Sequence, residues 1–170
     1  MPATSPRALR LPVGFSFDVT VIGIALGLAI GRIGDVINGE HHAIACDGPP
    51  WCVRYTTPAT LGQSTPVHPV AAYDLLWDLV ILGVTLAYWR RARGHPPEGR
   101  VYWLHAALYG AGRLATQFLR TDPAVLGVQT AQALGLAYLV IGGTMVLVLE
   151  RRGRRSEAAH PPRTMRAAPG

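Results

Sequence analysis

Four apolar segments, each about 17 to 20 residues long, constrain the fold of this chain more than any other feature of its sequence. A helix of that length crosses about 30 Å, which is the thickness of the hydrocarbon core of a bilayer. Only 15% of the 170 residues are charged, whereas a soluble domain carries about a quarter. The sequence therefore predicts an all-α, polytopic membrane helix bundle of about four transmembrane helices. The helices are expected at about 12–30, 70–89, 101–119 and 133–149.

The distribution of arginine predicts the orientation of these segments. Every basic residue is Arg, and most of them lie in short clusters such as RRARGHPPEGR at Arg90–Arg100 and RRGRR at Arg151–Arg155. Clusters of this kind beside membrane segments mark the cytoplasmic side. The loop 41–67 holds a single Arg54 and is therefore expected to face outward. The formal net charge of +6 is explained by these clusters and does not indicate a nucleic-acid partner.

The ends of the chain differ in composition from the membrane domain, which is expected to span 12–155. Residues 1–11 contain Arg7 and Arg10 and are predicted to form a cytoplasmic tail. Residues 156–170 are rich in Ala, Pro and Arg, a composition that predicts disorder.

The stretch GRIGDVINGE closes the first apolar segment and places Arg32, Asp35, Asn38 and Glu40 at the membrane boundary. Ionisable groups at membrane depth are costly, so they usually face a protein interior or a wet cavity and have a function. The stretch also contains three glycines, which are expected to allow the close approach of a backbone or a ligand; they are Gly31, Gly34 and Gly39.

A polar stripe runs along the third segment. His105, Tyr109, Arg113 and Gln117 recur every four residues, and Arg120 follows three residues later. This spacing places the five side chains on one helical face, which must contact protein or water. A buried guanidinium suits a phosphate or carboxylate, because its planar fork can donate two parallel hydrogen bonds.

Two other interpretations of the arginines remain open. Arg113 could pair with a carboxylate of a neighbouring segment, such as Asp74 or Glu40. Arg120 is expected to mark the outer interface by extending its guanidinium into the headgroup region.

The second segment carries carboxylates near its outer end. Asp74 and Asp78 are one helical turn apart, Tyr73 precedes them, and His68 precedes the segment. The helix dipole alone could explain Asp74, whereas Asp78 lies deeper and needs a partner. Two arginines and several carboxylates of three segments are thus expected to converge at the outer ends, where anionic lipid headgroups lie. The residues predict a membrane protein that holds a phosphate-bearing ligand near the outer leaflet.

The two cysteines, Cys46 and Cys52, share the outer loop. In an oxidising compartment they are expected to form a disulfide, although two free thiols remain an alternative. His41 and His42 precede them, but the spacing matches no common zinc frame, so no metal site is predicted.

Four motifs resemble those of the prolipoprotein diacylglyceryl transferases. GRIGDVINGE resembles the family signature G-R-x-G-N-F-x-N-G-E, and HPVAAYDLLWD resembles H-P-x-x-x-Y-E-x-x-x-E. LYGAGRLATQFLR resembles Y-x-x-x-R-x-x-x-E-x-x-R, and TAQALG, with Gln132, resembles G-Q-x-x-S. The resemblance implies an enzyme of the bacterial plasma (inner) membrane, with several crossings and its reaction at the outer side. Such an enzyme transfers the diacylglyceryl group of phosphatidylglycerol, a membrane lipid, to the cysteine thiol of a prolipoprotein lipobox peptide, without a cofactor.

Carried over position by position, the resemblance and the chemistry select two sets of residues. The expected catalytic residues are His68, Glu40 and Tyr109, with His68 preferred over Glu40 and His105 as the base that takes the thiol proton. The expected substrate-binding residues are Arg32, Asp35, Asn38, Gly39, Arg113, Gln117, Arg120, Tyr73 and Asp74.

Some positions depart from the family pattern. Asp35 occupies a family Asn position, Gln117 a Glu position, and Asp74 and Asp78 replace Glu. The family's additional N-terminal helices, with an H-G-G-type motif, have no counterpart here, so the chain resembles the C-terminal half and is expected to be either a reduced member or a fragment. The alternative to an enzyme is a catalytically impaired member that binds phospholipid.

Overall fold

The computed structural model describes residues 13–93, 97–122, 124–125 and 128–159. Four helices account for most of this part of the chain, and the predicted all-α helix bundle is confirmed. A short antiparallel hairpin joins the last two helices. In chain order the elements are α1 Val13–Asn38, α2 Val70–Ala92, α3 Arg100–Gln117, β1 Ala124–Val125, β2 Val128–Gln129 and α4 Thr130–Ala159.

Three of the helices, α1, α2 and α4, are long and apolar enough to cross a membrane. Large apolar side chains on each of them, such as Ile30, Leu76 and Leu147, are exposed, as expected of helices solvated by lipid. Helix α3 packs against the other three helices and carries the polar stripe. Its length and composition do not place it among the candidate spans of the described residues, so its crossing of the membrane stays a prediction.

Helices α1, α2 and α4 end beyond their predicted bounds, whereas α3 ends at Gln117, before its predicted bound of 119. GRIGDVIN does not close α1 but forms its last two turns, because no residue before Gly39 stops the helix. Gly39 then adopts a φ of 72°, and an added Cβ there would lie 2.5 Å from the Cα of Gly62. A Cβ at Gly31 or Gly34, by contrast, would meet nothing within 4 Å among the described residues. The close approach of another backbone expected at these two positions is therefore wrong, and that of a ligand stays a prediction.

At the other end of the chain, α4 continues to Ala159 and therefore includes Ser156, where the predicted tail begins. The remainder of that tail and residues 1–11 lie outside the described residues.

Glycines allow α3 and α4 to pack closely. A Cβ at Gly142 would lie 2.7 Å from the backbone nitrogen of Ala107, and one at Gly110 would lie 2.5 Å from the carbonyl oxygen of Gly135. Small residues at such positions let two helix backbones approach, which is a common basis of helix association in membranes.

A carboxylate of α1 caps the start of α3, and a carboxylate that lies just before α3 caps the start of α1. Asp18 on α1 accepts hydrogen bonds from the backbone nitrogens of Gly99 (2.7 Å) and Tyr102 (2.9 Å) at the start of α3. Glu98 accepts one from the backbone nitrogen of Phe15 in the first turn of α1, at 3.1 Å. Carboxylates satisfy the unpaired N–H groups of a helix start and interact favourably with its dipole. This exchange fixes the register of α1 against α3 at the end of the bundle opposite the long loop.

The loop 41–67 folds over the other end of the bundle, here called the loop end. Cys46 and Cys52 form a disulfide with a Cα–Cα distance of 5.7 Å, so the predicted linkage is confirmed. Val67 pairs with both Ala45 and Val53 through isolated bridges, and Ala43 pairs with Arg120 just after α3. The loop is thereby attached to the segment that follows α3.

Candidate functional site

Charged side chains from α1, α2 and the end of α3 meet at the loop end. The sequence predicted that two arginines and several carboxylates of three segments would converge, and the cluster contains three arginines and three aspartates. Its members are Arg32 and Asp35 of α1, Asp74 and Asp78 of α2, Arg113 of α3 and Arg120 just after α3.

Asp74 lies at the centre of this cluster and is buried. Its Oδ2 accepts a hydrogen bond from Nη2 of Arg120, and it lies 3.7 Å from Nη2 of Arg32 and 3.9 Å from Nη1 of Arg113. Asp78, also buried, places its Oδ2 3.5 Å from Nε of Arg32. A buried carboxylate needs such partners because its desolvation is otherwise costly. The helix dipole is therefore not the main reason for Asp74.

Arg120 does not extend into the headgroup region as predicted. Only 4% of its surface is exposed, and its guanidinium points inward to Asp74. The chain turns at the end of α3, where the bridge to Ala43 and a hydrogen bond from the Gln129 side chain to the Arg120 carbonyl hold the backbone. The prediction was wrong because the loop, which helical periodicity does not describe, covers this position.

Arg113 is the least engaged arginine of the cluster. Its nearest carboxylate in the described part of the chain is Asp74, at 3.9 Å, which is beyond hydrogen-bond distance. Its side chain is 21% exposed, against 1% for Arg120. The alternative pairing with Glu40 does not form: Glu40 is exposed and accepts a hydrogen bond from Nδ2 of Asn38 at 2.9 Å. Arg113 thus keeps donors available for an anion.

Arg32 is held by a second set of partners at the end of α1. Its Nη1 donates to Oδ2 of Asp35 at 2.8 Å, and Nε2 of His41 lies 3.2 Å from both of these atoms. Burial, followed by the positive charge of Arg120, lowers the pKa of His41 below its ordinary value, so the ring is neutral at pH 7. His41 also has a φ of 70°, a left-handed conformation that is uncommon for a residue other than Gly.

Asp35, Glu40 and His41 bring one ligand atom each to within 4.8 Å of one another. A divalent cation could be held by such a set, but Nη1 of Arg32 already lies within 3.2 Å of two of the three residues. The positive charge of this guanidinium disfavours a metal ion, so we assign none here. The zinc set considered for the loop is excluded, because both of its thiols form the disulfide.

His68 lies just before α2, near but outside the charged cluster. Its Nδ1 is 3.3 Å from the hydroxyl of Tyr73, which also accepts a hydrogen bond from Nε1 of Trp51 at 2.9 Å. His68 shares a small cavity of about 60 Å³ with Glu40 and His41. Three of the ionisable residues singled out from the sequence therefore surround one space at the loop end.

Gln117 and Gln132 support the backbone after α3. Gln117 is fully buried and donates from Nε2 to Oδ2 of Asp122 at 2.7 Å. The side chain of Gln132 accepts a hydrogen bond from the backbone nitrogen of Gln129 at 3.2 Å. These contacts give both glutamines a structural partner, and the predicted role of Gln117 in substrate binding stays a prediction.

An apolar cavity of about 270 Å³ lies deeper in the bundle, between α1, α3 and α4. Leu28 and Tyr109 line it one helical turn away from Arg32 and Arg113. His105 is buried in its wall. Tyr109 stacks against His105 and meets Tyr138 edge-on, and so belongs to this cavity rather than to the charged cluster. The polar stripe of α3 thus faces two different surroundings, the charged cluster at the loop end and the mostly apolar cavity below it.

Sequence reasoning missed the roles of three residues. His41 was considered only as a metal ligand, although its position after N-G-E places it beside Arg32. Asp18 is a lone acid in the first apolar segment, and that isolation was a usable signal for a buried partner. Asp122 offered no signal, because its contact with Gln117 depends on the turn after α3.

Comparison with known proteins places these features in a family. A family model described as prolipoprotein diacylglyceryl transferase matches residues 4–148. A phosphatidylglycerol–prolipoprotein diacylglyceryl transferase from Dehalococcoides mccartyi is 32% identical over 157 residues, covering 89% of this chain and 57% of the relative. Proteins with the same name from Gloeobacter violaceus (33% identical, 83% and 53% covered) and Clostridioides difficile (36%, 77% and 48%) are also similar. The chain spans about half the length of the curated relatives it matches.

Proposed function

The chain belongs to the prolipoprotein diacylglyceryl transferase family, and we propose that it transfers the diacylglyceryl group of phosphatidylglycerol to the cysteine thiol of a prolipoprotein lipobox. The reaction would take place at the outer face of the bacterial plasma membrane, which the protein crosses several times. The observation that carries the proposal is the partly exposed guanidinium of Arg113, which lies among paired charges yet has no hydrogen-bonded carboxylate in the described part of the chain.

The arrangement of polar and apolar surface suits a phospholipid. Arg113 offers donors to a phosphate at the loop end, while the cavity lined by Leu28 and Tyr109 offers an apolar space one turn deeper. A lipid with its phosphate at the membrane boundary directs its acyl chains toward the membrane centre. Going from the loop end toward the membrane centre, the proposed headgroup site comes first and the apolar cavity second, as a bound phospholipid requires.

The chemistry requires a stabilised phosphate leaving group and a thiolate. Negative charge grows on the phosphate oxygen as its bond to the glyceryl carbon breaks, and a guanidinium already in place stabilises that charge without reorganisation. Arg32 and Arg120 contribute differently, since aspartates hold both of them. We assign the phosphate contact to Arg113 and the maintenance of the charged cluster to the other two arginines.

The names of the relatives favour an enzyme over the alternative of a non-catalytic phospholipid-binding protein. The two functions are separated by an assay of transfer. The purified chain is placed in vesicles of phosphatidylglycerol with a lipobox peptide, and the mass of the peptide is followed. The expected result is a gain of one diacylglyceryl group per peptide cysteine, with none in vesicles that contain only phosphatidylethanolamine. Binding of phosphatidylglycerol without any gain in peptide mass would contradict the transferase and support the alternative.

A further inference from the structure

His41 occupies the edge of the charged cluster, at the point where it borders the cavity shared with Glu40 and His68. Its Nε2 contacts the ion pair of Arg32 and Asp35, and its side chain is 29% exposed. A histidine in this place is both anchored by charged groups and open to a ligand at the loop end.

The contacts of Nε2 fit either tautomer of the ring, because Nε2 lies 3.2 Å from Oδ2 of Asp35, which can only accept, and 3.2 Å from Nη1 of Arg32, which can only donate. With its proton on Nε2 the ring donates to Asp35, and with its proton on Nδ1 the ring accepts from Arg32 at Nε2. We assign the first of these two forms to His41. Nδ1 is then left with its lone pair, and it has no hydrogen-bond partner among the described residues. A carboxylate on the far nitrogen orients an imidazole and stabilises the imidazolium that forms on protonation.

Charged groups from several elements face the ring. Arg32 and Asp35 approach from α1, Glu40 lies beside it in the chain, and Arg120 acts on it from the end of α3. Together with burial, the arginine charge keeps the pKa of His41 low, so the ring is in the form that can accept a proton at neutral pH.

We propose that Nδ1 of His41 is the general base that takes the proton of the acceptor thiol, an inference that rests on the function proposed above. The S–H bond breaks, the proton moves to Nδ1, and the sulfur electron pair forms the bond to the glyceryl carbon. The bond between that carbon and the phosphate oxygen breaks, and its electron pair leaves with glycerol phosphate. The imidazolium then releases its proton to water, which restores the neutral ring.

The other histidines near the site fit this role less well. Nδ1 of His68 is engaged with the hydroxyl of Tyr73, and His68 contacts no carboxylate in the described part of the chain. His105 lies in the wall of the apolar cavity, at least two helical turns deeper than Arg113. His41 alone of the three contacts both an arginine and an aspartate of the cluster.

The test compares His41→Gln with His42→Gln in the full chain, by the peptide transfer assay between pH 6.5 and 9. His42 is exposed, and its side chain hydrogen-bonds only to the carbonyl oxygen of Leu61 among the described residues, so its variant is the matched control. At pH 7 His41→Gln is expected to lose about 10²- to 10⁴-fold in rate, the usual contribution of a general base. The loss should shrink as the pH passes about 8.5, where a thiol ionises without help. His42→Gln should follow the unmodified chain at every pH.

Binding of phosphatidylglycerol and the thermal melting temperature are measured in parallel, and both should be unchanged in His41→Gln. An equal loss of rate at every pH would indicate that His41 only positions Arg32, and would overturn the base. A His41→Gln variant with the rate and pH profile of the unmodified chain would also overturn the role of His41 as the base. The proposed transferase function would still hold in that case. If the folded, lipid-binding unmodified chain transfers nothing, the proposed function itself fails, and the base assignment fails with it.

Discussion

Arg113 and Arg120 are on the same polar stripe of the sequence, but their surroundings assign them different roles. Arg120 is buried against Asp74, whereas Arg113 lies 3.9 Å from the same carboxylate and is partly exposed. A guanidinium that is already hydrogen-bonded to a buried carboxylate gains less from an added anion than one with open donors. At the scale of single residues, the site therefore separates an anion-binding arginine from a structural one.

Arg113→Lys tests the anion-binding role. The ammonium keeps the charge but loses the planar fork that can bond two phosphate oxygens. Losing one charge-assisted hydrogen bond costs about 1.5–3 kcal/mol, so the affinity for phosphatidylglycerol should fall about tenfold to hundredfold at an unchanged melting temperature. The measurement is lipid binding in detergent, with the exposed Arg54→Lys as the control. Wild-type affinity in Arg113→Lys would rule out Arg113 as the phosphate ligand.

Arg120→Gln tests the structural role. The substitution leaves Asp74 buried without its hydrogen-bonded cation, and breaking a buried pair in this way costs about 3–5 kcal/mol. The melting temperature and the yield of folded protein should both fall. A second change, Asp74→Asn, should recover part of the loss because it removes the uncompensated charge. If Arg120→Gln alone melts like the unmodified chain, the buried pair does not stabilise the protein.

At the scale of secondary-structure elements, the packing of α3 on α4 gives a prediction from two adjacent glycines. A Cβ at Gly142 would lie 2.7 Å from the backbone nitrogen of Ala107, whereas one at Gly143 meets nothing within 4 Å. Gly142→Ala should therefore destabilise the bundle by about 1–3 kcal/mol through overpacking. Gly143→Ala should be neutral or stabilising by up to about 1 kcal/mol, since it only reduces backbone freedom in the unfolded chain. Thermal melting of the two variants decides the matter, and equal melting temperatures would contradict the close helix contact.

At the scale of the whole molecule, the loop end and the arginine-rich end should lie on opposite sides of the membrane. The disulfide-linked loop holds one arginine, whereas one cluster of arginines begins in the last turn of α2 and another lies near the end of α4. The positive-inside rule then puts the charged cluster at the outer face. In spheroplasts, an impermeant maleimide should label Ala59→Cys in the loop, and should label Arg91→Cys only after the membrane is permeabilised. Labelling of Arg91→Cys in intact spheroplasts would reverse the proposed orientation.

The sequence by itself determined the helical bundle, because hydrophobic length and periodicity are local properties of the chain. The spacing of four residues also placed Arg113 on the same helical face as Tyr109. The predicted boundaries were less accurate: GRIGDVIN remains helical up to Gly39, and the loop that follows covers Arg120. Loop conformation depends on contacts that no local pattern encodes.

Only the tertiary structure decided which charges pair. Arg32, Asp74 and Arg113 are far apart in the sequence, and the spacing of the residues left open whether Arg113 would pair with Asp74 or with Glu40. The choice between them depends on differences of about 1 Å in separation and on how far each group is desolvated, because both set the strength of a charge pair. Helix packing and the covering loop fix those quantities, and so they decide that Arg120 is occupied, that Arg113 stays open and that His41 joins Arg32.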